Sequence, residues 1–178
     1  MRGLLMAALA AAMASSLAGQ TPWPAHHSPA LDLGAALPVP LAAAAGAGAD
    51  FDSQVEQEAL RLVNGERARR GLNTLELDTR LSQVAREHCR RMARTHSAEH
   101  QYPGEPDLVH RVQASGVGFS RVSENLAMGT EGISGAHAMM MQSPRHHDNI
   151  LAPDFNAIGI AALWSGGVLY VTEVFVQR

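Results

Sequence analysis

Histidine is the residue type with the most obvious chemical potential in this chain. Nine histidines occur in 178 residues, and seven of them lie between His88 and His147. A neutral imidazole binds divalent metals, and an imidazole near its pKa transfers protons, so the cluster is a candidate metal or acid–base site. The single cysteine, Cys89, excludes an intramolecular disulfide and a cysteine-ligated zinc module. Any metal site must therefore use histidines and carboxylates.

Two of these histidines lie in a pattern typical of a class of zinc proteases. The run His96-Ser97-Ala98-Glu99-His100 matches H-x-x-E-H, in which two histidines one helical turn apart bind zinc and the glutamate activates water. That motif requires a stable helix, yet Pro103 and Gly104 follow at once and would end a helix near His100. The residues that follow the motif therefore argue against the zinc-protease hypothesis.

Other reactive side chains have structural explanations. Cys89 falls on the apolar stripe of a predicted helix and is expected in the core. Ser143 precedes Pro144, an arrangement typical of a helix start, where the backbone would occupy the hydroxyl. Glu173 lies in a strand that is apolar on both faces, so it is either buried with a partner or leans towards solvent. The sequence therefore presents no nucleophile placed by a motif.

The elements that must position these residues begin at Phe51, where the composition changes. Ser53 and Glu56 predict a capping box for a first helix that runs to about residue 70. Asp78 is the predicted N-cap of a second helix whose buried stripe includes His88. Shorter helices are predicted over 107–114 and 133–141, and another begins at Ser143.

Extended segments follow the first helices. Residues 122–127 read as extended, and 156–164 and 168–176 are apolar runs joined by the turn Ser165-Gly166-Gly167. Because helices come first and strands last, we expect an α+β fold with helices packed on a small antiparallel sheet.

The first 50 residues differ from the rest. Residues 1–18, with a basic start and an apolar run, are typical of a secretory signal peptide, and 19–50, rich in alanine, proline and glycine, predict a disordered linker. Neither segment supplies the roughly 20 apolar residues of a membrane span. A net charge of −3 disfavours nucleic acid as a partner. We therefore expect a folded domain over 51–178, secreted to the periplasm or medium without a stable membrane anchor.

Several motifs together resemble the bacterial CAP (SCP) domains, the superfamily of cysteine-rich secretory proteins, antigen 5 and pathogenesis-related class 1 proteins. Leu62-Val63-Asn64 and Glu66-Arg67 match its opening helix, and Ser123-Glu124-Asn125-Leu126-Ala127 its Gly-Glu-Asn motif. Ser143-Pro144-Arg145-His146 and Tyr170-Val171-Thr172-Glu173 resemble its second histidine motif and its last strand. The similarity runs over about residues 53–176, with the motifs in the family's order.

The resemblance implies an α-β-α sandwich with a central cleft. By position the cleft residues are His100, Glu124 and His146, which in some members hold a divalent metal such as zinc. Arg145 replaces the usual glycine, Met140 stands at the place of a tryptophan, and no carboxylate occurs between residues 139 and 142. The ligand set is therefore incomplete unless Glu173, where the family usually has glutamine, takes part. The alternative is a hydrogen-bonded polar cluster without a metal.

The remaining histidines are expected to be structural or peripheral. His88 is predicted to be a satisfied core histidine, with backbone as a candidate partner, and four others are expected at the surface or beside the ligands: His96, His110, His137 and His147.

For function the resemblance implies a secreted, monomeric binding module. Its cleft, formed by His100, Glu124, His146 and Glu173, would take a lipid or another small extracellular ligand, with or without a metal and without catalysis. The rival hypothesis is a hydrolase that activates water on zinc at His100 and His146, with Glu124 or Glu173 as base.

The signal peptide leads to the first prediction. We expect the mature protein to begin near Gly19 and to be found outside the cytoplasm, because the apolar run is followed by small residues that a signal peptidase recognises. Intact-mass analysis of protein from the medium, periplasm and cytosol measures this directly. An unprocessed Met1 on the exported protein, or accumulation in the cytosol alone, contradicts the assignment.

Overall fold

The computed structural model describes residues 51–178, and the predicted signal peptide and linker lie outside that range. The described chain forms five α-helices and four β-strands. The helices are α1 (Ser53–Ala68), α2 (Thr79–Thr95), α3 (Leu108–Ala114), α4 (Gly132–Gln142) and α5 (Pro144–Leu151). The strands are β1 (Glu76–Leu77), β2 (Arg121–Gly129), β3 (Ala157–Ser165) and β4 (Val168–Gln177).

The four strands form one mixed sheet in the order β1-β3-β4-β2. β3 and β4 make the predicted hairpin, and β2 pairs antiparallel with the other side of β4. β1 pairs parallel with β3 through Glu76 and Leu77. The expectation of an antiparallel sheet is therefore right for three strands and wrong for β1, because two residues are too few to show a periodic pattern.

Helices cover both faces of the sheet, as the α-β-α expectation requires. On one face α2 packs through an apolar stripe that includes Leu81, Cys89 and Met92. On the other face lie α1, α4 and α5. Alternate residues of β4 follow this division, with Val174 in the core below α2 and Phe175 in the opposite core. Cys89 is buried as predicted, and burial raises the pKa of its thiol to about 12.

The helix starts agree only in part with the sequence prediction. Asp78 caps α2 as expected, but α1 is capped by Asp52, whose carboxylate accepts the N–H groups of Gln54 and Val55 at 3.0 and 3.1 Å. The predicted capping box is wrong, because Glu56 instead pairs with Arg86 of α2 at 2.6 Å. At the start of α5 the Ser143 side chain makes no capping hydrogen bond, so the expectation for its hydroxyl is also wrong.

Gly159 lets α2 lie directly against β3. A Cβ at this position would be 2.2 Å from the carbonyl carbon of Leu81 and 2.4 Å from the backbone nitrogen of Ser82. The helix is also bonded to the strand there, since the Ile160 N–H donates to the Ser82 hydroxyl at 3.2 Å. Only glycine therefore fits without moving the backbone of α2.

The second prediction concerns this contact. Gly159→Ala should lower the free energy of unfolding by about 3 kcal/mol, because a methyl group would collide with helix backbone that cannot rotate away. Urea unfolding of purified protein measures the loss.

Gly118→Ala is the matched control. A Cβ at Gly118 meets nothing within 4 Å, so its effect should stay within about 0.5 kcal/mol. Equal stabilities for the two variants would show that α2 does not depend on the close approach at Gly159.

Candidate functional site

A buried carboxylate lies on β2, the edge strand of the sheet. The Arg111 guanidinium donates a hydrogen bond to Oε1 of Glu124, and Nδ1 of His100 donates one to Oε2, both at 3.0 Å. Burial raises the pKa of Glu124, but the His100 hydrogen bond and the charges of His88 and Arg111 outweigh burial and lower the pKa below its usual value. The carboxylate is therefore ionised, with a partner on each oxygen.

Arg111 joins the His100 loop to β2. Besides its bond to Glu124, its guanidinium donates to the backbone carbonyl of His100 at 3.1 Å. The Arg111 side chain is only 7% exposed, so water competes weakly for these bonds. Through this one side chain, α3 sets the distance between the first histidine of the candidate site and the strand.

A second buried pair lies beside Glu124. Nδ1 of His88 is 2.8 Å from Oε1 of Glu105, both side chains are fully buried, and the Tyr102 N–H donates to the other oxygen of Glu105 at 3.1 Å. His88 is thus a core histidine, as predicted, but its partner is a carboxylate and not backbone. It is satisfied only at Nδ1, since its buried Nε2 has no hydrogen-bond partner among the described residues. Sequence reasoning missed Glu105, which follows the Pro103-Gly104 turn and reaches His88 only through the fold.

On the other face of β2 a chain of amides leads to α5. The Ser123 hydroxyl donates to Oδ1 of Asn149 at 2.7 Å, and Nδ2 of Asn149 donates to Oδ1 of Asn125 at 2.9 Å. Nδ2 of Asn125 then donates to the backbone carbonyl of His146 at 3.2 Å. This network orients the first turns of α5 against the strand.

The last member of that network is Glu173. Nδ2 of Asn125 also donates to Oε2 of Glu173 at 3.2 Å, within the register pair that joins β2 to β4. Glu173 is 1% exposed, so the solvent-leaning alternative is wrong. Burial raises the pKa of its carboxyl to about 7, although the Asn125 hydrogen bond acts in the opposite direction.

His146 lies half-buried on α5, on the opposite side of the cleft from His100. Burial lowers the pKa of His146, and the nearby charge of His100 lowers it further. Its imidazole is therefore neutral at pH 7, as a metal-binding imidazole must be.

Together these residues form an open cleft of about 540 Å³. The cleft contains His100, Glu124 and His146, which the sequence resemblance placed together, and Arg145, which the resemblance marked as a departure. Glu173, the fourth predicted residue, is buried below Asn125 and is not part of the lining. The complete lining is His100, Leu108, Val122, Ser123, Glu124, Arg145, His146, Asp148 and Asn149.

This fold and cleft agree with comparison to known families. The sequence model described as CAP, the cysteine-rich secretory protein family, matches residues 60–178. The chain belongs to the CAP family.

A curated bacterial protein is similar in sequence to this CAP domain. YkwD of Bacillus subtilis (strain 168) is 30% identical over 126 residues, which cover 71% of this chain and 48% of that protein. The chain thus spans about half the length of the curated relative it matches.

Two solved bacterial structures have the same fold. An extracellular SCP-domain protein of Bacillus anthracis str. Ames has a TM-score of 0.65 at 26% identity, over 70% of this chain and 41% of that one. An outer surface protein of Borrelia burgdorferi has a TM-score of 0.67 at 19% identity, over 74% of this chain and 99% of that one.

A more distant CAP structure was crystallised with a metal. NaASP2, solved with Zn²⁺, has a TM-score of 0.52 at 11% identity, over 70% of this chain and 80% of that one. At this identity the likeness concerns the fold alone.

The three predicted metal ligands do not fit a ready site in this CAP domain. Residues 51–178 contain no group of three histidine, cysteine, aspartate or glutamate side chains placed to hold one ion. Both oxygens of Glu124 already accept hydrogen bonds, one of them from the Arg111 guanidinium, whose positive charge opposes a cation. The metal donors left in the cleft are the imidazoles of His100 and His146 and the exposed carboxylate of Asp148, which pairs with His147 at 3.3 Å.

The H-x-x-E-H helix is not formed. α2 ends at Thr95, and His96 follows as its C-cap with a left-handed φ of 50°. Glu99 and His100 lie beyond the helix, so the geometry that makes this motif bind zinc is absent from the described chain. The zinc-protease interpretation of this motif is therefore wrong in its structural premise.

One peripheral histidine lies in an unexpected environment. His137 of α4 is buried, and burial lowers its pKa, so it is not at the surface, which was one of the two places expected for it. His110 and His147 lie at the surface beside Asp107 and Asp148.

The third prediction uses the buried carboxyl of Glu173. Because its pKa is raised from 4.5 to about 7, the folded state keeps the proton while the unfolded chain releases it, and stability falls as the pH rises from 4.5 through 7. Glu173→Gln removes this titration, so above pH 7 the free energy of unfolding of the variant should exceed that of the wild type by roughly 3 kcal/mol. Urea unfolding at a series of pH values measures the difference.

Below pH 4.5 the two proteins should differ little, because the carboxyl is then protonated in both states. Glu87→Gln, on the exposed face of α2, is the matched control for exchanging a carboxyl for an amide at a solvated position. A pH-independent difference for Glu173→Gln would contradict the buried-acid assignment.

Proposed function

We propose that this CAP domain is an extracellular binding module whose cleft takes a small polar ligand without catalysing its conversion. The observation that carries the proposal is the engagement of the cleft's reactive groups. The Ser123 hydroxyl donates to Asn149, so it is not paired with a base, and Glu124 is held by Arg111 and His100. His146 offers a neutral imidazole, but among residues 51–178 no side-chain hydroxyl or thiol is hydrogen-bonded to it, so the cleft holds no nucleophile paired with a general base.

The lining supports a polar ligand over an apolar lipid tail. Leu108 and Val122 are its apolar side chains, and the other seven residues carry hydrogen-bonding groups. With Nδ1 of His100 donating to Glu124, Nε2 of a neutral His100 is left as an acceptor, while the Arg145 guanidinium supplies donors. Such a surface recognises a ligand by convergent hydrogen bonds.

An extracellular location is supported by the relatives. Two of the solved CAP structures are an extracellular protein and an outer surface protein. Within residues 51–178 no helix combines the length and apolar character that a membrane span requires. Processing of residues 1–18 as a signal peptide is the route we propose.

A divalent metal is the second candidate for the cleft. The observation in its favour is the pair of imidazoles, His100 and His146, that line the cleft, and a CAP protein of the same fold was crystallised with Zn²⁺. Within residues 51–178 no carboxylate is placed with these two imidazoles to make a group of three, whereas catalytic zinc sites usually have three protein ligands. We therefore favour the metal-free function over metal binding and over hydrolysis by a zinc-bound water.

The fourth prediction separates these functions. The experiment is ligand-observed NMR with a library of small polar compounds in the presence of EDTA. We expect some compounds to bind the wild type, and we expect His146→Ala and Ser123→Ala to abolish that binding. His96→Ala is the matched control, because His96 lies outside the cleft, and it should retain binding.

Zinc decides the alternative in the same set of proteins. At pH 7.5 we expect zinc to leave the melting temperature of the wild type unchanged, because residues 51–178 hold no complete set of metal ligands. If zinc did bind only the folded state, it would raise the melting temperature. A rise that His100→Ala and His146→Ala abolish and His96→Ala preserves would establish the metal candidate instead. Zinc-dependent cleavage of casein, lost in the same variants, would establish the hydrolase.

A further inference from the structure

A second cavity, of about 350 Å³, lies at the C-terminal end of α2, away from the cleft. No residue is shared between the two linings. Its walls carry two arginines, a histidine and a serine around a small apolar floor of Ala93 and Leu163. The full lining is Arg90, Ala93, Arg94, His96, Leu163 and Ser165, and it includes no acidic side chain.

The arginines of α2 differ in how their charges are balanced. Three of the five have a carboxylate oxygen within 4.0 Å, namely Arg80 with Asp78, Arg86 with Glu56 and Arg91 with Glu105. Among the described residues, Arg90 and Arg94 have none, and these two line the cavity.

Arg90 and Arg94 are one helical turn apart, so their side chains lie on the same face of α2. Like charges at this spacing destabilise a helix by a few tenths of a kcal/mol, about 0.2–0.5, unless a counter-charge lies between them. The Arg90 guanidinium lies 4.7 Å from the centre of the Phe51 ring, which restricts its orientation before any ligand arrives. The cavity therefore presents two uncompensated cations, one of them preorganised.

The other polar groups can also donate. The Tyr170 hydroxyl and Nδ1 of His96 are 3.1 Å apart, and burial raises the pKa of the phenol, which therefore keeps its proton to donate. In that arrangement Nε2 of His96 carries the hydrogen. Ser165 adds a hydroxyl at the end of β3. Guanidinium, imidazole and hydroxyl donors around one cavity match a tetrahedral oxyanion.

We propose that this cavity binds a phosphoryl group, with Arg90 and Arg94 as its principal ligands and His96 and Ser165 as additional donors. The group is carried either by a soluble phosphate compound or by a phospholipid headgroup. The site is independent of the cleft and of the function proposed for it.

Titration with inorganic phosphate, followed by amide NMR on the full mature chain, tests the site. We expect saturable shifts at residues 93–97 and 163–166, with sodium chloride at matched ionic strength producing none. In Arg90→Gln/Arg94→Gln the affinity should fall about tenfold or more, since a hydrogen bond to a charged group is worth about 1.5–3 kcal/mol. Arg94→Lys, which keeps the charge and loses the planar fork, should give an intermediate affinity.

Arg61→Gln is the matched control, because Arg61 is an exposed arginine of α1 that lines neither cavity, and it should bind phosphate as the wild type does. Equal affinity in Arg90→Gln/Arg94→Gln, shifts confined to the cleft, or no saturation at all would overturn the proposal. Unchanged melting temperatures confirm that the variants are folded.

Vesicles identify the source of the phosphoryl group. Sedimentation with phosphatidylcholine vesicles that contain phosphatidylglycerol, lost in Arg90→Gln/Arg94→Gln, identifies a lipid headgroup. Phosphate binding without sedimentation identifies a soluble ligand. Sedimentation that persists in the double variant, together with no phosphate shifts, would overturn the site.

Discussion

Glu124 is an ionised carboxylate on a buried strand, and burying an unpaired charge costs several kcal/mol or more. The fold meets this cost with hydrogen-bond donors from two separate segments, the Arg111 guanidinium of α3 and Nδ1 of His100 in the loop after α2. Arg111 also donates to the backbone carbonyl of His100. The same side chain therefore neutralises the carboxylate and positions the first histidine of the cleft. Removing Arg111 would leave the buried charge with His100 as its remaining partner and release the loop that forms one wall of the cleft.

The alternation of side chains along β2 divides the cleft between the two helical layers. Glu124 points towards α2 and α3, while Ser123 and Asn125 point towards α5 and hold its first turn through Asn149. Because β2 is the edge strand of the sheet, the two walls meet there around a strand that no further strand covers. The cleft is therefore a consequence of strand order as much as of the residues that line it.

Local patterns in the sequence were sufficient for most of the elements. The core stripe of α2, its Asp78 cap and the β3–β4 hairpin all follow from side-chain spacing, because periodicity and capping act over a few residues. The ordered motifs of the family also brought His100, Glu124 and His146 to one cleft. Patterns this short do not report pairings between distant segments, which is why the pairing of β1 with β3 and that of Glu56 with Arg86 were not predicted.

Tertiary structure alone decided how each polar group is used. Sequence placed Glu173 in an apolar strand but could not supply Asn125, which pairs with it across two strands and leaves it below the cleft. It placed His88 in the core but could not show that Glu105, and not backbone, would be its partner. A histidine or carboxylate takes its charge state and its role from the groups within a few ångströms, and folding selects those groups from segments far apart in the chain.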